Sequence, residues 1–236
     1  AREAGGHAST PPSFPATARL ARAIDRVRRH PFPRRLVAPV RAMLASAAAH
    51  APEPVRTVFR RTALTAPVLT AAFALLGPET NALVRTTAVV TRLEGSAGDN
   101  VLATTARATV NVRLLTGETI SDAAIHLPRA VADPRIDIEL RHGSDPSPVS
   151  PWQGTAWRRL AAAVRETLGD EVIPLPYLQL GASDSRFYTG LTEHVYRFTP
   201  FHLTRAERDA LHAPDERIRV EVWLRGIGFY RALLAS

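Results

Sequence analysis

The spacing of apolar residues changes along this chain, and the change limits the fold more than any other feature of the sequence. In residues 17–30, Leu20, Ile24 and Val27 recur on one side of a predicted helix, and arginines occupy the other side. In residues 106–114, apolar and polar residues instead alternate, which is the pattern of a strand with one buried face. The chain is therefore predicted to be a mixed α/β protein.

Further elements between residues 17 and 141 predict a small two-layer α+β unit with an antiparallel sheet. They are helices over 36–50, 55–77 and 119–131 and strands over 84–93 and 135–141. Ser121 and Asp122 are candidate caps of the helix over 119–131. Prolines such as Pro67 are expected to break the alanine-rich helices. The apolar run 62–77 is too short for a membrane span, so a packed or partner-facing helix is predicted there.

A stretch rich in Pro, Ser and Gly over 142–154 predicts a linker to a second unit. The elements predicted after it are helices over 155–168 and 218–235 and strands over 172–180 and 194–199. This pattern is typical of part of an α/β layer.

The positive charge is concentrated at the start of the chain. Residues 1–61 contain twelve arginines and three acidic residues, whereas the other 175 residues contain eighteen arginines and nineteen acids. Such a basic region is compatible with a solvated surface, an acidic protein partner or a nucleic acid. Aromatic residues are few there and no nucleic-acid-binding motif is present, so we predict no nucleic-acid partner.

The side chains that usually carry chemistry form no local motif. The 236 residues contain no cysteine, which excludes disulfides, a thiolate zinc site and a cysteine nucleophile. The eight histidines show no spacing typical of a zinc site. Residues 181–185 (GASDS) lack the final glycine of a serine-hydrolase elbow. Composition and spacing alone therefore name no function.

A series of segments nevertheless resembles, in order, the motifs of the M20 zinc metallopeptidases. They are G-G-H-A-S-T-P-P (5–12), N-A-L-V-R (81–85), E-G-S (94–96), D-N-V-L-A (99–103), A-R-A-T-V-N-V-R-L-L-T-G-E-T (106–119), S-P-V-S-P (147–151), G-A-S-D-S-R-F-Y (181–188), V-Y-R-F-T-P (195–200) and L-H-A-P-D-E-R (211–217). The subgroup that the chain is most similar to is that of carboxypeptidase S and the N-acyl-amino-acid hydrolases.

The resemblance implies that residues 1–142 form the family's lid, which also dimerises, and that residues 143–236 form the C-terminal part of its α/β catalytic domain. Such enzymes hold two zinc ions and use zinc-activated water to cleave an amide bond next to a free carboxylate. The family's H-x-D and Glu-Glu motifs are absent from these residues. We therefore expect a missing N-terminal catalytic half, one zinc ligand in this chain, and no catalysis by the chain alone.

Site residues are implied one by one by the matching motifs. His212 matches the last zinc ligand, although Ala213 stands where the family usually has glycine. His7 matches the lid histidine that donates to the oxyanion in the partner subunit's active site. Asn100 and Arg113 match a lid pair that binds substrate. The remaining substrate-binding candidates belong to the loop that lines the specificity site: Gly181, Ser183, Asp184 and Arg186.

Two other interpretations stay open. The chain is alternatively a non-catalytic dimerisation or interaction module, which exposure of residues 62–77 would favour. A third option is an arginine-rich nucleic-acid binder that depends on Arg26, Arg28 and Arg29. The partners predicted from the resemblance are a second copy of the chain and a small peptide or N-acyl amino acid, and the predicted location is the cytoplasm.

Overall fold

The structure is a computed structural model that describes residues 1–235. Its first part contains β1 (Gly6–His7), α1 (Ala16–Arg29), α2 (Ala38–Ala48), α3 (Val55–Arg60), α4 (Thr62–Leu76), α5 (Pro78–Ala82), β2 (Thr87–Glu94), β3 (Val101–Leu102), β4 (Arg107–Arg113) and α6 (Ile120–Val131). Its second part contains α7 (Thr155–Leu168), a short 3-10 helix (Asp184–Tyr188), α8 (Arg205–Asp209) and α9 (Val220–Ala235). Helices combined with small antiparallel sheets confirm the predicted α/β class.

Two antiparallel strand pairs share one stretch of chain, residues 101–113. Its first part, β3, pairs with β1, and His7 lies opposite Val101. Its last part, β4, pairs with β2, and Thr87 lies opposite Arg113. Exposed and half-buried residues alternate along β4, as its sequence predicts. Residues 101–113 therefore link the β1–β3 pair, which contains His7, to the β2–β4 pair, which contains Arg113.

A buried arginine ties helix α1 to the segment before β1 and to the end of α6. Helix α1 packs beside α6 and contacts β2. Arg19 on α1 is only 6% exposed, and its guanidinium donates to Glu3 at 2.7 Å and to Asp133 at 2.8 Å. A buried cation is stable only when it is paired. The two ion pairs therefore fix the segment before β1 and the end of α6 against α1.

Two apolar clusters form the rest of the interior. The larger joins α2 and α4 to the segment before β2, and its buried members are Leu36, Val40, Leu44, Leu69, Leu83 and Val84. Leu178 and Leu180, from the second part of the chain, pack against it. The smaller cluster lies between α7 and α9, around the fully buried Phe229. Segment 178–180 is thus anchored on the first part of the chain.

The helix predictions are confirmed, with two corrections in detail. All six predicted helical regions contain helix, although the region 55–77 is divided into α3 and α4. Pro67 lies inside α4 and does not end it. The N-cap of α6 is Thr119, which forms a capping box with Asp122, so the expectation of a cap at Ser121 was wrong.

Three predicted strands, over 135–141, 172–180 and 194–199, are absent. Alternation alone does not make a strand, because the backbone also needs a hydrogen-bonded neighbour. None of these segments pairs with another strand in the described part of the chain. At Val195, the hydroxyl of Ser150 replaces a neighbour: it accepts from the backbone N–H at 3.0 Å and donates to the carbonyl at 2.9 Å.

Helix α4 leaves much of its apolar surface uncovered. Leu64, Val68, Leu75 and Leu76 are all more than two-thirds exposed, while Leu69 and Thr70 face the interior. Helix α4 therefore has an exposed apolar face, of the kind expected for a partner-facing helix. Across residues 1–235, no helix combines the length and the apolar character needed to cross a bilayer.

We predict that Asp133→Asn lowers Tm by several degrees at neutral pH, because Arg19 loses one of its two carboxylates. Hydrogen bonds from the backbone of Arg135 and then from Arg19 lower the pKa of Asp133. The stabilisation is therefore complete above the ordinary carboxyl pKa and is lost as the pH falls through the lowered value. The Tm difference should begin to close below about pH 4 and continue to shrink as the pH falls further, as followed by thermal denaturation.

Asp137→Asn is the matched control, since its ion pair with Arg2 is largely exposed and should contribute little. A Tm difference for Asp133→Asn that stays constant into strong acid would contradict the prediction.

Candidate substrate and metal site

His7 is exposed at the end of β1, where close backbone packing sets its position. A Cβ atom on the neighbouring Gly5 would lie 2.7 Å from the side chain of Thr104 and 3.3 Å from the carbonyl of Leu102. Glycine therefore lets the strand approach residues 102–104 without a clash. The resulting register holds the His7 imidazole at an exposed edge of the strand pair.

The hydrogen bonds of His7 define which ring nitrogen carries the proton. The backbone N–H of Ser9 donates to Nδ1 at 3.2 Å, and the Ser9 hydroxyl lies 2.8 Å from the same atom. Because Nδ1 accepts a hydrogen bond from a backbone N–H, the neutral ring carries its own proton on Nε2. Nε2–H is therefore a donor, and no acceptor in residues 1–235 contacts it.

Asn100 lies next to His7. The backbone N–H of Ala8 donates to the carbonyl of Asn100 at 3.0 Å, which continues the pairing of β1 with β3. The structure thus brings two of the predicted site residues together, one from each strand. Both side chains are exposed.

Arg113 lies at the other end of the strand stretch. Its side chain is exposed, and within the described residues it has no carboxylate partner. The stretch 101–113 begins opposite His7 and ends at Arg113. The structure therefore places His7 and Arg113 at opposite ends of this stretch.

The loop 181–186 follows directly after the anchored Leu180. The hydroxyls of Ser183 and Ser185 lie 2.6 Å apart, and a 3-10 turn begins at Asp184. The guanidinium of Arg186 lies over the ring of Phe187, 4.7 Å from its centroid, and pairs with no acid in the part of the chain described. Arg186 is therefore available to bind an anion.

Gly181, the first residue of that loop, is not required there by its backbone conformation. Its φ lies outside the left-handed region, and a Cβ atom would meet only the flexible side chain of Gln179, at 3.3 Å. Its role as a point of close approach to a ligand stays a prediction.

His212 lies on the loop between α8 and α9 in a left-handed conformation, with φ 67°. Its backbone N–H donates to the carboxylate of Glu216 at 2.9 Å, which holds the loop in this shape. The imidazole itself is exposed. Asp215, on the same loop, makes no such hydrogen bond to His212.

An exposed neutral imidazole on a fixed loop is chemically suited to be one zinc ligand. Elsewhere in residues 1–235 there is no group of three or more His, Asp or Glu side chains placed to share a metal ion. His212 would thus need ligands from outside the chain to complete a site.

Sequence reasoning missed the residues that support the candidate site. Ser9 fixes the His7 ring, and its only signal was its position two residues after the histidine. Glu118 is buried and accepts from Arg35 at 2.7 Å and from the hydroxyl of Thr86. These contacts join residues that lie 83 and 32 positions apart, so no local pattern could reveal them.

The geometry describes an α/β protein with exposed donors on one strand pair and a histidine loop before its last helix. The model of the peptidase family M20/M25/M40 matches residues 9–236. The chain belongs to this family of hydrolases, whose members generally depend on metal ions. The predicted family and its carboxypeptidase S-like subgroup are thereby confirmed.

Relatives of the chain carry names from that subgroup. The chain is 31% identical to the human "N-fatty-acyl-amino acid synthase/hydrolase PM20D1" over 98% of its own length and 46% of the relative. The same protein from Xenopus tropicalis is 29% identical, over 98% and 45%. "Probable carboxypeptidase S-like 2" from Dictyostelium discoideum is 28% identical, over 98% and 44%. The chain thus spans about half the length of these relatives, and no solved structure matches it significantly.

We predict that the neutral His7 ring exists as the Nε2–H tautomer, which long-range nitrogen–proton NMR correlations can identify. His50, an exposed histidine whose ring makes no hydrogen bond to residues 1–235, serves as the reference in the same spectrum. A Nδ1–H tautomer at His7 would contradict the hydrogen bond from the Ser9 backbone.

Proposed function

We propose that this chain supplies the lid, residues 1–142, and the C-terminal part of the catalytic domain, residues 143–236, of a di-zinc amidohydrolase. The complete protein would cleave an amide bond next to a free carboxylate, as a carboxypeptidase or N-acyl-amino-acid hydrolase. The match to the peptidase family over residues 9–236 is the observation that carries this proposal. Because the chain spans half of its relatives, we expect no catalysis from it alone.

Two exposed arginines support the free carboxylate as the recognised group. A guanidinium binds a carboxylate through two parallel N–H donors. Arg186 and Arg113 suit this task, since neither pairs with an acid within residues 1–235. Ser183 and Asp184 would add polar contacts beside Arg186, and Gly181 would let the backbone approach the substrate.

His7 would stabilise the oxyanion that forms on the amide carbonyl. The bond from Ser9 leaves the Nε2–H group as a donor that need not reorganise during the reaction. Loss of one such donor typically costs about 3 kcal/mol of transition-state stabilisation. Asn100, next to His7, offers an amide donor to the same substrate.

His212 would be this chain's contribution to the metal centre. Zinc, when bound, activates water and polarises the substrate carbonyl. The His212 imidazole would act as one ligand, and the hydrogen bond to Glu216 would keep its loop in the binding conformation.

The separation of His7 from Arg113 supports a dimer in which the two residues serve different active sites. In such a dimer, His7 of one subunit would enter the active site of the other. Strand β2 supports such a dimer, because its only partner strand in residues 1–235 is β4 and it exposes Val89 and Leu93.

The names of the relatives suggest the substrate class. The human relative is named for N-fatty-acyl amino acids, and that from Dictyostelium for carboxypeptidase S. We propose a small peptide or an N-acyl amino acid as the substrate, and the cytoplasm as the location.

The contacts of the basic region support the proposal that nucleic acid is not a partner. Arg26 donates to two backbone carbonyls after α6, while Arg28 and Arg29 both pair with Asp25. These arginines therefore offer less free charge to phosphates than the sequence suggests.

A non-catalytic interaction module is the second candidate, and one observation favours it. The exposed residues of α4, Leu64 and Leu75 among them, form the kind of apolar surface that protein partners cover. This role is compatible with the first, because an enzyme subunit can also bind partners.

The test compares Arg113→Gln and Arg186→Gln in the complete protein with an N-acyl amino acid and its methyl ester. We expect each change to raise KM for the free acid by about tenfold and to leave the ester nearly unaffected, since the ester has no charge to bind. Arg141→Gln, at an exposed arginine outside the site, is the control. Equal losses on both substrates, or no hydrolysis by the unmodified protein, would refute the proposal.

A further inference from the structure

An open cleft of about 1080 Å³ separates the start of α2 from α4 and the linker after the first part of the chain. Its apolar walls include Leu36, Ala66, Pro151 and Trp152, and Arg34 lies on its rim. None of the residues proposed above for catalysis or substrate binding lines it. Its size is at the upper end of the range of small-molecule pockets.

The three arginines of this cleft differ in their hydrogen-bond and ion-pair partners. Arg35 pairs with the buried carboxylate of Glu118 at 2.7 Å. The Nε of Arg41 donates to the carbonyl of Leu36 at 2.8 Å. Arg34 is exposed and has neither a carboxylate nor a hydrogen-bond acceptor within residues 1–235. Its charge is therefore available to a ligand.

A second uncompensated cation, Arg85, lies near Arg34. The Nε atom of Arg85 is buried and finds no hydrogen-bond partner in the described chain. The backbone N–H of Arg35 donates to the carbonyl of Val84 at 2.7 Å, which places Arg34 and Arg85 on neighbouring segments. Burial lowers the pKa of Arg85, and the charge of Arg34 lowers it further. Neither Arg34 nor Arg85 pairs with an acid within residues 1–235, so the two cations create a positive potential that an anion would relieve.

The apolar walls of the cleft indicate the chemical character of the rest of the ligand. A small inorganic anion would satisfy Arg34 but leave Ala66, Pro67 and Trp152 facing water. A ligand that also carries a hydrocarbon chain would cover these surfaces, and each buried methylene group would favour binding. The guanidinium of Arg34 suits a planar carboxylate head group.

We propose that this cleft binds a single-chain amphiphilic carboxylate, with the head group at Arg34 and the hydrocarbon chain along Ala66, Pro67 and Trp152. The charge of Arg85, on the segment next to Arg34, adds to the positive potential at the head group. This inference concerns binding alone, so it holds or fails independently of amide hydrolysis.

The test is calorimetric titration of the 236-residue chain with dodecanoate below its micellar concentration. We expect saturable binding of one ligand, weakened about tenfold by Arg34→Gln and largely restored by Arg34→Lys. Ala66→Phe should also weaken binding, because it fills the apolar wall without changing the charge. Arg60→Gln, at an exposed arginine on α3, should have no effect.

Circular dichroism of each variant separates a lost contact from a lost fold, and Ala66→Phe tests the cleft without altering either cation. Dodecanol and inorganic phosphate are the comparison ligands. Dodecanol or phosphate binding as tightly as dodecanoate would overturn the proposal. So would equal effects of Arg34→Gln and Arg60→Gln, or the absence of saturable binding.

Discussion

The buried guanidinium of Arg19 is the interaction on which the first part of the structure depends. It joins Glu3, just before β1, to Asp133, just after α6, and both distances are below 3 Å. Helix α1 is thereby locked to the strand that carries His7. Neither carboxylate is close to Arg19 in sequence, so folding of this unit requires its first and last segments to meet.

The Arg19 ion pairs fix the segment before β1 and thereby the position of the candidate site residues on this strand. The register of β1 on β3 presents His7 and Asn100 side by side, whereas Arg113 ends the neighbouring pair far along the same chain. The second part of the chain is fixed through Leu178 and Leu180, which position the Arg186 loop, and through the Glu216 contact, which shapes the His212 loop. We therefore propose that a complete site combines residues from more than one chain of this kind.

The sequence predicted the elements whose signals are local. Helices such as α1 and α7 follow from their apolar spacing, and β4 follows from strict alternation. The segment 135–141 alternates equally well but forms no strand, because pairing depends on a neighbour that alternation does not reveal. His7 and His212 were predicted from short sequence motifs. The contacts of Ser9 and Glu118 and the unpaired Arg85 became visible only in the structure.

The central claim is that His7 acts in the active site of a partner subunit. The direct test mixes two inactive variants of the complete protein, His7→Ala and His212→Ala, under conditions that allow subunits to exchange. A mixed dimer would hold one site with an intact metal ligand and an intact His7, so about a quarter of the wild-type activity should return. No recovery, despite verified subunit exchange, would show that both residues serve the same site and would contradict the account.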